Sequence, residues 1–118
     1  MDHLPVIYIA GKYRDARGEW YVEQNIRAAE KEALFVWGIG GVALCPHKNT
    51  AFFGGACDDF VWLMGDLELL SRCDAVYAID GYRESKGAVQ EVEYAKNDNM
   101  PVFYSRDEVQ AFIRQELV

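Results

Sequence analysis

Four short, continuously apolar runs alternate with segments of helical periodicity, and this alternation limits the fold more than any other feature of the chain. The runs are Pro5 to Ala10, Val42 to Cys45, Ala75 to Ile79 and Pro101 to Tyr104. Between and after them the apolar residues recur at spacings of three and four, as helices with one buried face require. Val22, Ile26, Ala29, Ala33 and Trp37 mark a helix from about Trp20 to Trp37, stopped at Gly38. Phe60, Leu63, Met64, Leu67 and Leu70 mark a second from about Asp58 to Arg72. Ala88, Val92 and Ala95 mark a third from Lys86 to Asn97. Ser105 and Glu108 form a capping box that opens the last, which carries Val109, Phe112, Ile113 and Leu117. Strands that are apolar throughout, each followed by a helix, predict a parallel sheet covered on both faces. The expected fold class is α/β: a three-layer, flavodoxin- or Rossmann-like fold with a four-stranded parallel sheet in the order 2-1-3-4. Right-handed crossovers leave few alternatives. The switch point then lies between strands one and three.

The 118 residues suit one domain, 1–118. Twelve Lys and Arg against nineteen Asp and Glu give a net charge of −7, which argues against a broad nucleic-acid interface. A small anion in a local basic pocket stays open, because Lys12, Arg14 and Arg17 cluster in one loop. No apolar run is long enough to predict a membrane span, and no secretion signal is evident. An odd set of three cysteines, Cys45, Cys57 and Cys73, suggests reduced thiols and a cytoplasmic location.

The carboxyl edge of such a sheet is where ligands bind. The topology brings three loops there. After strand one come Gly11, Lys12 and Arg14, with Tyr8 near the strand's end. After strand two come His47 and Asn49. After strand three, Ser85 can cap a helix, Gly87 allows close approach to the backbone, and Glu91 lies near the helix's anion-attracting end. Asp66 joins them if its helix faces the same cleft. Two carboxylates, a phenol, a histidine and a basic loop suit a polar or phosphorylated small molecule.

Each residue also has a purely structural explanation. Glu91, Asp66, Lys12 and Arg14 could be solvated charges, Tyr8 a core residue, Ser85 a plain cap, and His47 and Asn49 turn-stabilising groups. Gly11 would make a turn in either case. Cys45, His47 and Cys57 lack a paired-cysteine spacing and a fourth ligand, so no metal site is expected. Gly38-Ile39-Gly40-Gly41 follows a helix and precedes a strand, the reverse of a dinucleotide fingerprint.

Four segments together carry a family resemblance: Tyr8-Ile9-Ala10-Gly11-Lys12-Tyr13-Arg14, Cys45-Pro46-His47-Lys48-Asn49-Thr50, Gly65 through Ala75, and Ser85-Lys86-Gly87-Ala88-Val89-Gln90-Glu91. In order and spacing they resemble the nucleoside 2-deoxyribosyltransferase superfamily, and within it a group of small bacterial and phage proteins. The resemblance implies cleavage or exchange at the N-glycosidic bond of a nucleoside or nucleoside 5′-monophosphate, with no metal or organic cofactor and with assembly as a homodimer or larger homo-oligomer. It implies that Glu91 is the nucleophile, that Asp66 assists the leaving base or orients the sugar, and that Tyr8 holds Glu91. Gly11, Arg14, Ser85 and Gly87 would match a 5′-phosphate cradle. Lys12-Tyr13 departs from the small or apolar residues usual after the glycine, and the loop Asp80 to Glu84 is longer than in monophosphate-cleaving relatives.

In such a reaction positive charge builds on the sugar carbon and negative charge on the departing base. A carboxylate at the carbon can stabilise or trap that state. Glu91 is expected to be ionised and accessible, with Asp66 or His47 donating to the base. A non-catalytic nucleotide-binding or sensing domain on the same scaffold is one alternative, and a scaffold or interaction module with an apolar exposed patch around Phe52, Phe53 and Trp62 is another.

Overall fold

The computed structural model describes residues 2–117. Its strands are β1 (Val6–Ala10), β2 (Val42–Leu44), β3 (Ala75–Ala78) and β4 (Val102–Phe103). Its helices are α1 (Glu19–Gly38), α2 (Pro46–Asn49), α3 (Asp59–Ser71), α4 (Lys86–Asn97) and α5 (Arg106–Leu117). All the strands are parallel, in one four-stranded sheet of order β2-β1-β3-β4. The expected fold class and strand order both hold. Tyr8 of β1 pairs with Leu44 on one side and Val76 on the other, which places it in mid-sheet.

Side chains alternate across the sheet, so each central strand feeds two cores. Ile7, Ile9, Ala75, Tyr77 and Ile79 pack on Ala29, Ala33 and Val36 of α1 and on Val109 and Ile113 of α5. Tyr8, Ala10, Val76 and Ala78 pack on Leu70 of α3 and on Ala88, Val92 and Ala95 of α4. The helices thus form one layer on each face.

Several expectations about faces and boundaries are corrected. In α1, Val36 is buried and Trp37 is exposed, because a period of 3.6 carries position 37 past the core face. The chain continues as helix beyond Pro46, whose missing N–H is harmless at the first helical position, so the expected loop opens with a turn of helix. A 3-10 turn, Tyr82–Glu84, lies within the loop after β3. In α5, Leu117 is exposed although Val109 and Ile113 are buried. In α3, Leu70 is buried but Phe60 and Met64 are exposed.

The Ser105 half of the capping box is formed as expected, while Glu108 reaches one residue past the cap's own N–H. Ser105 Oγ accepts from the Glu108 N–H at 3.2 Å, and the Glu108 carboxylate accepts from the Tyr104 N–H at 3.2 Å. A second polar device fixes α5. Glu32 Oε1 accepts from the buried Tyr77 hydroxyl at 2.7 Å, and Arg106 engages both Glu32 oxygens at 2.8 Å. The Arg106 guanidinium lies 4.8 Å over the Phe35 ring. Glu32→Ala should lower stability by about 2 kcal/mol in urea titration, through the Tyr77 hydroxyl left buried without an acceptor. An unchanged midpoint would refute this account.

Candidate active site

The structure joins Tyr8 and Glu91. Tyr8 is fully buried and its hydroxyl donates to Glu91 Oε2. Glu91 lies on α4 with Ala88, Val92 and Ala95, the residues that pack against the sheet, and it is 9% exposed. Helical periodicity therefore turns this carboxyl inward onto β1. Burial pushes the Glu91 carboxyl up to about 8, against the stabilising hydrogen bond from Tyr8, and Asp66 adds to the rise. The Asp66 carboxyl, half-buried on α3, is pushed up to about 6 by desolvation. Burial, then the charges of Glu91 and Asp66, push the Tyr8 phenol upward, so it remains a donor. Two carboxyls from different helices and a phenol from the central strand form one coupled group.

Glu91 was expected to be ionised and accessible. In this structure it is enclosed and holds its proton at neutral pH, because a buried carboxylate with one donor recovers too little of its lost hydration. Two concavities stand out elsewhere. A groove of about 550 Å³ runs along β2 and α1, lined by Leu34, Trp37, Leu44 and Leu69 among others. Another, of about 410 Å³, lies at the carboxyl ends of β3 and β4 beside Tyr82 and Tyr104.

The expected binding residues divide into several groups. Ser85 caps α4, accepting from the Ala88 N–H at 3.2 Å. The backbone of Gly87 is open, since an added Cβ would meet only Ser85 Oγ, at 3.9 Å. Gly11 serves packing rather than a turn, because a Cβ there would lie 2.7 Å from Ile79 side-chain atoms. Lys12 Nζ pairs with Glu84 at 2.9 Å, and Arg14 pairs with Asp59 at 2.5 Å. These ion pairs tie the β1–α1 loop to the 3-10 turn on one side and to α3 on the other. Asn49 is exposed and lines the β2 groove, away from the coupled group.

His47 is a strut. Its Nε2 lies 2.9 Å from the Lys12 carbonyl, which can only accept, so Nε2 carries the proton. Burial lowers the His47 pKa, keeping the ring neutral. Its face stacks on Tyr13 at 5.8 Å. Tyr13 escaped notice in the sequence as a positioning residue. Its hydroxyl accepts from the Phe52 N–H at 2.8 Å, and its carbonyl accepts from Asn25 Nδ2 at 3.0 Å. Asn25, the one polar residue on the buried face of α1, was the available signal.

Residues 5–104 match the model of a family described as a domain of unknown function, DUF4406. The chain belongs to the DUF4406 family. The match spans all four strands and the whole Tyr8–Asp66–Glu91 group. No curated protein matches. Among solved structures, the 2-deoxyribosyltransferase from the psychrotolerant bacterium Bacillus psychrosaccharolyticus superposes with a TM-score of 0.64 at 20% identity, covering 84% of this chain and 70% of that one. This DUF4406 chain thus has a deoxyribosyltransferase-like fold. Among the described residues, no helix is long and apolar enough to cross a membrane.

Proposed function

We propose that the chain breaks the N-glycosidic bond of a nucleoside or nucleoside 5′-monophosphate, with Glu91 as nucleophile. The observation that carries this reading is the Tyr8 hydroxyl donated to a buried carboxyl beside a second, partly desolvated carboxyl. Paired carboxyls with separated pKa values are the usual equipment of glycoside chemistry. The likeness to a solved 2-deoxyribosyltransferase supports the fold on which this reading rests.

In the proposed step a Glu91 oxygen bonds to C1′ as the C1′–N bond breaks, and its electron pair leaves with the base. A proton reaches the base from Asp66. Water then attacks C1′ and gives a proton back to Asp66 as the bond from C1′ to Glu91 breaks and frees the carboxylate, or a second base does so and completes transfer. Tyr8 fixes the carboxyl and favours its ionised form. His47 is excluded as the acid, because its one proton is held by the Lys12 carbonyl. Glu91 must first give up its own proton. Passing it to Asp66 creates nucleophile and acid together and is roughly a hundredfold uphill, from about 8 to about 6.

The test is chromatographic detection of free base from a panel of nucleosides and their 5′-monophosphates. Base should accumulate with the parent chain and be absent with Glu91→Gln. One observation favours a second reading. Glu91 is enclosed and protonated at neutral pH, as would suit a domain that binds nucleotides without cleaving them. Saturable binding with no free base after long incubation would select that reading.

A further inference from the structure

Among the described residues, two buried side-chain nitrogens have no hydrogen-bond partner: Nδ1 of His47 and Nε1 of Trp62. They are complementary. His47 gives its Nε2 proton to the Lys12 carbonyl, which leaves Nδ1 an acceptor. The indole nitrogen of Trp62 can only donate. A polar atom shut from water and left unmet destabilises a fold, so each calls for a partner from outside the chain.

The two stand at opposite ends of one aromatic cluster. The His47 ring stacks on Tyr13, and the Tyr13 hydroxyl accepts from the Phe52 N–H at 2.8 Å. The ring of the next residue, Phe53, lies 6.0 Å from that of Trp62. The cluster adjoins the coupled carboxyls. Trp62, Asp66 and Leu70 lie at successive turns of α3, on one face. Leu70 packs with Tyr8 in the core. Helix α3 follows the loop at the carboxyl end of β2, so Trp62 is the member of this row nearest the sheet's carboxyl edge.

We propose that His47 Nδ1 and Trp62 Nε1 read the edge of a nucleobase, the first accepting from it and the second donating to it, with the base laid against the aromatic cluster. The inference rests on the glycosidic reading of Glu91 and Asp66 and adds the groups that hold the base. A planar heterocycle with a donor and an acceptor on its rim meets both nitrogens and offers a face to the rings. A sugar or sugar phosphate has hydroxyls but no such face. The Trp62 N–H also suits the chemistry. Negative charge builds on the base as the C1′–N bond breaks, and a fixed donor one turn from Asp66 favours that state. Both nitrogens are closed to solvent, so a base reaches them as the loop carrying Phe52 and Phe53 shifts. Phe52 has a φ of 63°, a left-handed conformation unusual for phenylalanine, and added Cβ atoms at Gly54 and Gly55 would meet nothing within 4 Å. The segment that must move is therefore strained at one point and unpacked at the next.

Calorimetry with adenosine, guanosine, cytidine and thymidine, with their free bases and with ribose, tests this. The parent chain should bind at least one nucleoside and its free base, and should not bind ribose. Trp62→Phe keeps a ring but removes the N–H, and should weaken both nucleoside and free base about tenfold. His47→Gln keeps an amide N–H for the Lys12 carbonyl but removes the Nδ1 acceptor, and should do the same; it also serves if Trp62→Phe does not fold. The loss should be equal for nucleoside and free base, since both nitrogens face the base alone. Unchanged affinities in a folded variant would overturn the proposal. So would a loss confined to the nucleoside, or a parent chain that binds no base. Base release separates the two readings. Release with an unchanged KM in both variants would leave Glu91 as nucleophile and remove this proposal, whereas variant-sensitive base binding without release would do the reverse.

Discussion

Glu91→Gln is expected to melt higher than the parent chain at pH 8 while losing base release by roughly 10³-fold or more. The stability gain follows from linkage. The carboxyl has an ordinary value of 4.5 and is raised to about 8 in the fold. Between those values the folded chain keeps a proton that the unfolded chain releases, so stability falls as pH rises. The penalty is absent below about pH 4.5 and complete above about pH 8. Glutamine removes it, being neutral throughout and offering Tyr8 the same acceptor. After allowance for relaxation around the site, the gain is on the order of 2 kcal/mol, or about 8 °C. Scanning calorimetry at pH 4.5 and pH 8.5 should show the two chains close together at the lower pH and apart at the higher. Equal melting at both would mean that Glu91 is not enclosed as described. A gain in stability paired with a loss of activity is the pattern of a strained catalytic group.

Tyr8→Phe should shift the pH dependence of base release. The hydroxyl holds the Glu91 value down by donating to the ionised form. Without it the carboxyl titrates higher still. The descending limb of the rate profile, set by Glu91, should then move up by about one pH unit, the ascending limb, set by Asp66, should stay, and the rate at pH 7 should fall about tenfold. The substitution removes one oxygen from a fully buried ring, so the direct effect on packing is small. A lower melting temperature with an unmoved profile would reduce Tyr8 to a core residue.

The architecture was legible because buried parallel strands must be apolar throughout and their covering helices must repeat at 3.6. Those two patterns do not overlap in this chain. The Ser85 cap and the Ser105–Glu108 box were legible because capping is local chemistry. Glu91 stood out by its place near the anion-attracting end of the helix that Ser85 caps, at the carboxyl edge of the sheet. The partners of exposed charges were not legible. Lys12 and Arg14 read as a phosphate-binding loop, yet their partners, Glu84 and Asp59, are distant in sequence. The role of Gly11 was hidden similarly, since it depends on Ile79 across the sheet. The inward face of Glu91 was encoded in its spacing from Ala88, Val92 and Ala95, but the extent of its dehydration, and so the proton it keeps, was not. Helix α3 misled for the opposite reason. Its apolar residues were all assigned inward, and the pattern cannot say how many faces a helix must cover.

The place of Tyr8 on the central strand has a kinetic consequence. Its backbone is hydrogen-bonded between two neighbours, so its amide should exchange with deuterated solvent only as slowly as the whole sheet comes apart. The phenol is therefore the fixed reference of the group. The β1–α1 loop beside it is held by the exposed Lys12–Glu84 and Arg14–Asp59 pairs, and raising ionic strength should loosen that loop while leaving Tyr8 in place.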